Sequence, residues 1–464
     1  MNDETAYAAT RKRTRPRILI RNISTLFRDA DRAEHGVDVL IDGTRILSVG
    51  KDLLEPDLGP SDDLLIIDGR DRLVIPGFVN SHTHLYQSML KGRRDDLSLV
   101  DWCNDVTFPF VRRVLHAAWN DGSTEIASLW SLLGCIEMLR SGVTCFVDMD
   151  MNVDGVIDAW HQIGMRGVAA MSLVDTWVPE EIRVSPEQTR DDTLALIERW
   201  HEAPGDAPLS TVMLAPSTPF TCTDEMLTWI SEQAQAYGLR VTTHVSETIW
   251  EVEQALGETG VTPLARLEAL GVLENPVLAV HGVHLTEDDI RLAARRNVAV
   301  AYNPKSNMKL GSGIAPIVDL HRAGIPITLG TDGAASNDLL DPFEEMRCGL
   351  LLQKVAKQDP TVLSARDIFR FATEIGAREC GVDAGVVHPG KLADLVVLDA
   401  AAAHQFQFSN KIDDLFASLV YCTKASDVIT TIVNGRLIMQ DRELLGIDEP
   451  LILHEIKKVG ARYA

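Results

Sequence analysis

The 464-residue sequence has no apolar run close to the ~20 residues that a membrane-spanning helix needs. Its first residues lack the apolar core of a secretory signal. The seven cysteines, at positions 103, 135, 145, 222, 348, 380 and 422, are odd in number and scattered, and no Cys-x-x-Cys pair occurs. That argues against a disulfide framework and fits reduced thiols in a cytoplasmic protein, most of them small core residues. Basic residues are the minority: 44 Lys+Arg against 67 Asp+Glu give a net charge of −23. So acidic a chain is repelled by phosphate backbones, which argues against a general nucleic-acid binder. One basic cluster, at positions 11–17, precedes the first periodic segment and reads as part of a disordered tail, 1–16. There is no internal repeat and no low-complexity linker. What remains is an ordinary soluble composition, 45% hydrophobic and 24% charged, in a chain long enough to bury a large core.

Short β-rich runs recur at 73–84, 143–148, 167–172, 211–216, 240–246, 277–281, 298–302 and 326–331. Helical periodicity separates them, at 124–140, 155–163, 191–201, 224–237, 263–270, 287–295 and 314–322. Thr223 and Ser185 are candidate caps before acidic first turns. Strands alternating with helices imply a parallel sheet, and eight such units over roughly 250 residues imply a (β/α)8 barrel. The flanks read differently. "RILIRNI", "VDVLIDGTRILSVG" and "LIIDG" before the barrel, and "ADLVVLD" and "VITTIVNGRLIMQDREL" after it, read as short strands, with Asn434-Gly435 as a hairpin turn. Neither flank can bury a core alone, so both chain ends should meet in one small β-sandwich. The expected division is 17–72 and 385–464 in the sandwich and 73–384 in the barrel.

Barrel active sites form at the carboxyl ends of the strands. The first strand ends in "NSHTHLYQ", residues 80–87. Side chains alternate along a strand, so His82 and His84 share one face, half of a metal site. A hydrated strand end would also account for this pair taken alone. The fifth strand, however, ends with His244 and Glu247, the sixth with His281 and the eighth with Asp332. Four histidines and two carboxylates at matching strand ends are hard to explain as packing.

At this point the chain resembles the amidohydrolase superfamily. It looks most like the aminohydrolase branch of methylthioadenosine/S-adenosylhomocysteine deaminases, guanine and 8-oxoguanine deaminases and triazine hydrolases. The motifs "PGFVNSHTH", "THVSET", "VHGVHL", "NPKSNMKLGSGIAP", "LGTDGAASND", "FEEMR" and "GKLADLVVLD" match in order over nearly the whole chain. The resemblance implies that His82, His84, His244 and Asp332 bind one divalent metal. Zn2+ leads, and Fe2+, Mn2+ or Co2+ are compatible with the same donors. It implies Glu247 as proton shuttle, Asp332 as acceptor of a second proton, and His281 beside the metal as stabiliser of developing charge. Binuclear relatives carry a bridging lysine after strand 4; "MLAPSTPF" has none, so one metal is expected. The resemblance also implies a homodimer or higher homo-oligomer acting on a small heterocycle.

The reaction expected is hydrolytic deamination of an exocyclic amine on a purine, pterin or triazine. The alternatives are a nucleoside deaminase of the methylthioadenosine/S-adenosylhomocysteine type, the same site cleaving another C–N or C–Cl bond, or a non-catalytic scaffold. Nucleoside deaminases carry an acidic residue where Val111 stands and a histidine where Ser217 stands, which favours a free base. Gln87, Trp102, Ser217, Phe220 and Asn303 are the expected pocket residues, with Trp102 in a long loop after strand 1. Asn307 and Lys305 are expected at the mouth. Arg93-Arg94 reads as a solvated pair, and Ser336-Asn337 as the turn after Asp332.

Overall fold

A computed structural model describes residues 16–53, 64–201 and 208–463. The expected tail, apart from Pro16, lies outside the described residues. Eight parallel strands form the barrel: β1 Phe78–Thr83, β2 Val143–Asp148, β3 Arg166–Ala169, β4 Ser210–Pro216, β5 Arg240–Val245, β6 Val277–His281, β7 Ala299–Tyr302 and β8 Ile327–Leu329. They pair in sequence order from β1 to β8. Side-chain and backbone hydrogen bonds complete the seam between β8 and β1. Ser81 Oγ donates to Leu329 O at 2.8 Å, Thr331 N donates to Asn80 Oδ1 at 2.9 Å, and Asp332 N donates to His82 O at 3.0 Å. The eighth strand is thereby tied to the first where their functional side chains emerge.

Both chain ends do meet beside the barrel. Arg72–Pro76 pairs antiparallel with Leu395–Asp399, from Leu395 opposite Pro76 to Asp399 opposite Arg72. One apolar core joins Ile18, Ile20, Val39 and Val74 from before the barrel to Val387, Leu395, Val397 and Ile432 from after it. The Asn434-Gly435 turn has φ of 53° and 67°, the doubly left-handed form that a two-residue hairpin requires. A side chain at Gly435 would sit 1.9 Å from Gly43 O, so this turn also packs the two flanks together.

Four expectations need correction. The run 73–84 is two strands, not one. Pro76 ends the sandwich strand and Gly77 turns the chain into β1, in a space where a Cβ would lie 2.1 Å from Thr144 Oγ1. The run 167–172 is interrupted after Ala169 and resumes at Ser172–Leu173 against β4. The helix expected at 191–201 is Pro186–Trp200: Ser185 caps it by accepting from Gln188 N, and Pro186 suits a first helical position. The "loop" after β1 is largely helical, with Trp102 at the end of Leu99–Trp102 and Val111 within Phe108–Asp121. Among the described residues no helix is long and apolar enough to cross a membrane.

Candidate metal centre and active site

The carboxyl ends of β1, β5, β6 and β8 converge. His82 Nε2 lies 3.2 Å from His244 Nε2 and 3.4 Å from Asp332 Oδ1, and His84 Nε2 lies 3.3 Å from each of the same two atoms. All four residues are buried, and their ligand atoms fall within 4.8 Å of one another. Two rings are fixed from behind. His84 Nδ1 donates to Met149 O, and His244 Nδ1 donates to Ser217 O at 2.6 Å. A carbonyl only accepts, so both rings carry their proton on Nδ1 and turn the Nε2 lone pair toward the centre. Buried lone pairs facing a carboxylate at these distances repel unless a cation or proton lies among them. A tetrahedron with metal–ligand bonds of ~2.0–2.1 Å has edges of ~3.3–3.4 Å, close to the spacings here.

The electrostatics point the same way. Burial pushes His82 down to about 4, and burial with the neighbouring imidazoles pushes His244 well below its ordinary value. Burial would raise Asp332, but hydrogen bonds to His82 and His84 hold it well below the usual carboxylate range. These are the deprotonated forms that bind a metal. Burial lowers the His84 pKa, and the hydrogen bond and charge of Asp332 raise it, with a net upward shift. The residues present therefore fit a divalent cation.

Backbone strain aims the side chains. Ser246, His281 and Asp332 have φ of 52°, 71° and 62°, left-handed values that non-glycine residues adopt at a cost of ~1–3 kcal/mol each. Asp332 is gripped by Ser306 Oγ and Ser336 Oγ on Oδ2 and by Gly333 N on Oδ1. Glu247, buried at the centre's edge, accepts from Ser312 Oγ at 3.2 Å, and its Oε2 lies 3.4 Å from His281 Nε2. Burial raises its pKa. His281 Nδ1 lies 2.8 Å from Asn307 Oδ1.

A cavity of about 630 Å3 opens onto this cluster. Of the expected pocket residues, Gln87, Trp102, Ser217 and Phe220 line it, as does Val111. Asn303 does not. It is fully buried behind His281, its Nδ2 3.4 Å from that ring, in a space that requires glycine at position 330. Asn307 is likewise buried against His281, and Lys305 is paired with Glu344 at 2.6 Å. Arg94 pairs with Asp96 on the surface.

Sequence reasoning missed Glu251. Its carboxylate accepts from Ser246 N at 2.9 Å and Glu247 N at 2.8 Å, holding the strained turn that presents Glu247. The signal was there: Thr248-Ile249-Trp250-Glu251 has capping-box spacing, and Thr248 does accept from Glu251 N. The difference is that Glu251 reaches past the cap to two amides before it. Ser306 was also missed, and Ser336, expected only to shape the turn after Asp332, bonds Gly333 O in that turn and grips the Asp332 carboxylate as well; a serine in a turn gives no sign of a second partner.

The sequence matches the model of the amidohydrolase family over residues 73–438. A 5'-deoxyadenosine deaminase of Methanothermobacter thermautotrophicus is 39% identical over 423 residues, 91% of this chain and 94% of that protein. A 5-methylthioadenosine/S-adenosylhomocysteine deaminase of Thermococcus sibiricus is 37% identical over 424 residues, again 91% and 94% of the two chains. In structure, a zinc-bound adenosine deaminase of Xanthomonas campestris superposes with a TM-score of 0.87 at 28% identity, over 96% of this chain and 98% of that one. The matched motifs and the barrel with its buried His3Asp group lead to one conclusion: the chain belongs to the amidohydrolase family and is a hydrolase.

Proposed function

We propose that this protein is a metal-dependent aminohydrolase that replaces an exocyclic amine of an N-heterocycle by oxygen and releases ammonia. The observation that carries the reading is the placement of a buried carboxylate, Glu247, and a buried imidazole, His281, within 3.4 Å of each other beside the four-ligand cluster. His82, His84, His244 and Asp332 would hold one cation, with Zn2+ first among those the donors accept. When bound, it lowers the pKa of a water toward ~7 and so supplies hydroxide at neutral pH. The chain's own residues do the rest. Glu247, whose pKa burial raises, takes a proton from water and delivers it to a ring nitrogen. His281 stabilises charge developing on the incoming oxygen. Asp332, kept ionised and gripped by two serines, accepts the second proton, which then passes to the departing amine so that it leaves as ammonia. The carbon gains an oxygen and loses its nitrogen as ammonia, so the reaction needs water and no oxidant. In this reading the barrel, which begins after Gly77, carries the chemistry, and the flanking sandwich supports it.

A second reading, the deamination of an adenosine derivative, is favoured by the names of the relatives. Val111 and Ser217 weigh against it, since both line the cavity where those enzymes, by the resemblance, hold a sugar. Ammonia release by the metal-loaded protein across purines, pterins, triazines and adenosine derivatives tests both. Release from free bases supports the first reading, and a clear preference for methylthioadenosine supports the second. Release from none of them rejects both.

A further inference from the structure

The cavity is larger than a bare heterocycle needs. Allowing even ~30 Å3 per non-hydrogen atom, the share of one water in the liquid, a ring system of about ten atoms leaves half of the 630 Å3 unfilled. Much of the wall that remains is apolar. Phe108, Val111, Leu115 and Trp119 recur at helical spacing along Phe108–Asp121, and all four line the cavity. Trp177 and Ile182, from the segment beyond β3, line it too. The two walls are joined. The Phe108 and Trp177 rings are 6.0 Å apart, and His116 Nε2 donates to Glu181 O at 3.2 Å, tying the segment to the helix. Trp177 has a φ of 64°, unusual for a bulky residue, and packs against Phe220 at 5.0 Å and Trp250 at 5.9 Å. A wall tied by a hydrogen bond and a strained aromatic is a built feature. A sugar hydroxyl laid on the helical stripe would find no partner at position 111.

We infer that the substrate of this site is an N-heterocycle carrying an uncharged apolar arm, and that the stripe of Phe108, Val111, Leu115 and Trp119, faced by Trp177, selects for that arm. The inference rests on the aminohydrolase reading only for the identity of the heterocycle's reacting amine. The arm is recognised by burial of its carbon chain, and each added methylene contributes by leaving water.

The test uses the full, metal-loaded chain with adenine, 9-methyl-, 9-butyl- and 9-octyladenine, and adenosine. Calorimetry gives Kd and ammonia release gives kcat/KM. Affinity should rise about two- to fourfold per methylene up to butyl, the upper figure corresponding to complete burial. Butyladenine should bind better than adenosine. Leu115→Asp should reduce the ratio of octyl to methyl affinity at least tenfold; Val111→Asn serves if that variant does not fold. Affinity independent of arm length, absence of binding, or tighter binding of adenosine than of butyladenine overturns the inference. The two readings separate cleanly. Affinity that rises with the arm without ammonia release keeps the arm site and rejects purine deamination. Ammonia released equally from every member keeps deamination and rejects the arm site.

Discussion

Glu251 offers a sharp test of how the site is held, because it touches no ligand atom of the metal cluster and acts only on backbone. Its two oxygens accept from Ser246 N and Glu247 N at 2.9 and 2.8 Å, and it is 2% exposed. Glu251→Ala leaves two buried donors without an acceptor, at ~1–3 kcal/mol each. Ser246 meanwhile stores ~1–3 kcal/mol of left-handed strain at φ 52° that these bonds hold in place. Relaxing the turn relieves both, so the turn moves and Glu247 moves with it. A displacement of about 1 Å at a reacting group costs ~10²-fold in rate. The expected result is a kcat loss of ~10–100-fold with KM within about threefold and metal content unchanged, because His244 is anchored separately by Ser217 O. Glu251→Gln, which keeps one acceptor, should fall between alanine and the native chain. Wild-type kcat in Glu251→Ala would refute the argument. Loss of metal in step with activity would also refute it, since that would make Glu251 a folding residue rather than a positioning one.

Two further outcomes follow from the same geometry. Glu247→Gln should keep its metal and lose ~10²-fold or more in kcat, the scale of general acid–base help; near-native turnover at normal metal content would remove Glu247 from the mechanism. Burial pushes Glu345 up to about 8, against an ordinary value of 4.5. The folded state then holds a proton that the unfolded state has lost between those values, so stability falls as pH rises from about 5 to 8, by up to ~1.4 kcal/mol per unit. Glu345→Gln should match the native protein in denaturant titrations near pH 5 and exceed it near pH 9; equal stability at both would contradict this.

The barrel and the convergence of polar side chains at its mouth were legible because both obey short-range rules; which four of those side chains would bind a metal came from the resemblance alone. Strand alternation put His82 and His84 on one face, and the ends of β5, β6 and β8 carried His244, His281 and Asp332. The sandwich was legible because neither flank had enough apolar residues to stand alone. The helix running from Leu99 through a π-helical turn at Cys103–Thr107 to Asp121 was not, since Pro109 disguised it as loop; Pro109 follows closely on that wider turn. Asn303 was misplaced for a related reason. Sequence gives its distance from β7, but which way its amide turns depends on Gly330 at the end of the neighbouring strand, 27 positions on. Contacts between distant segments, such as the serines on Asp332, leave no local pattern.

The proposed reaction depends on a cation held by His82, His84, His244 and Asp332. Metal analysis of the purified protein, with ammonia release followed through chelation and reconstitution, tests it most directly. Expected are one divalent ion per chain, loss of activity on its removal, recovery on its return, and ~100-fold or greater weakening of metal retention in His244→Ala or Asp332→Ala, at least the scale seen even for outer-sphere partners of such ligands. Full activity in the chelated protein, or stoichiometric metal in both variants, would contradict it.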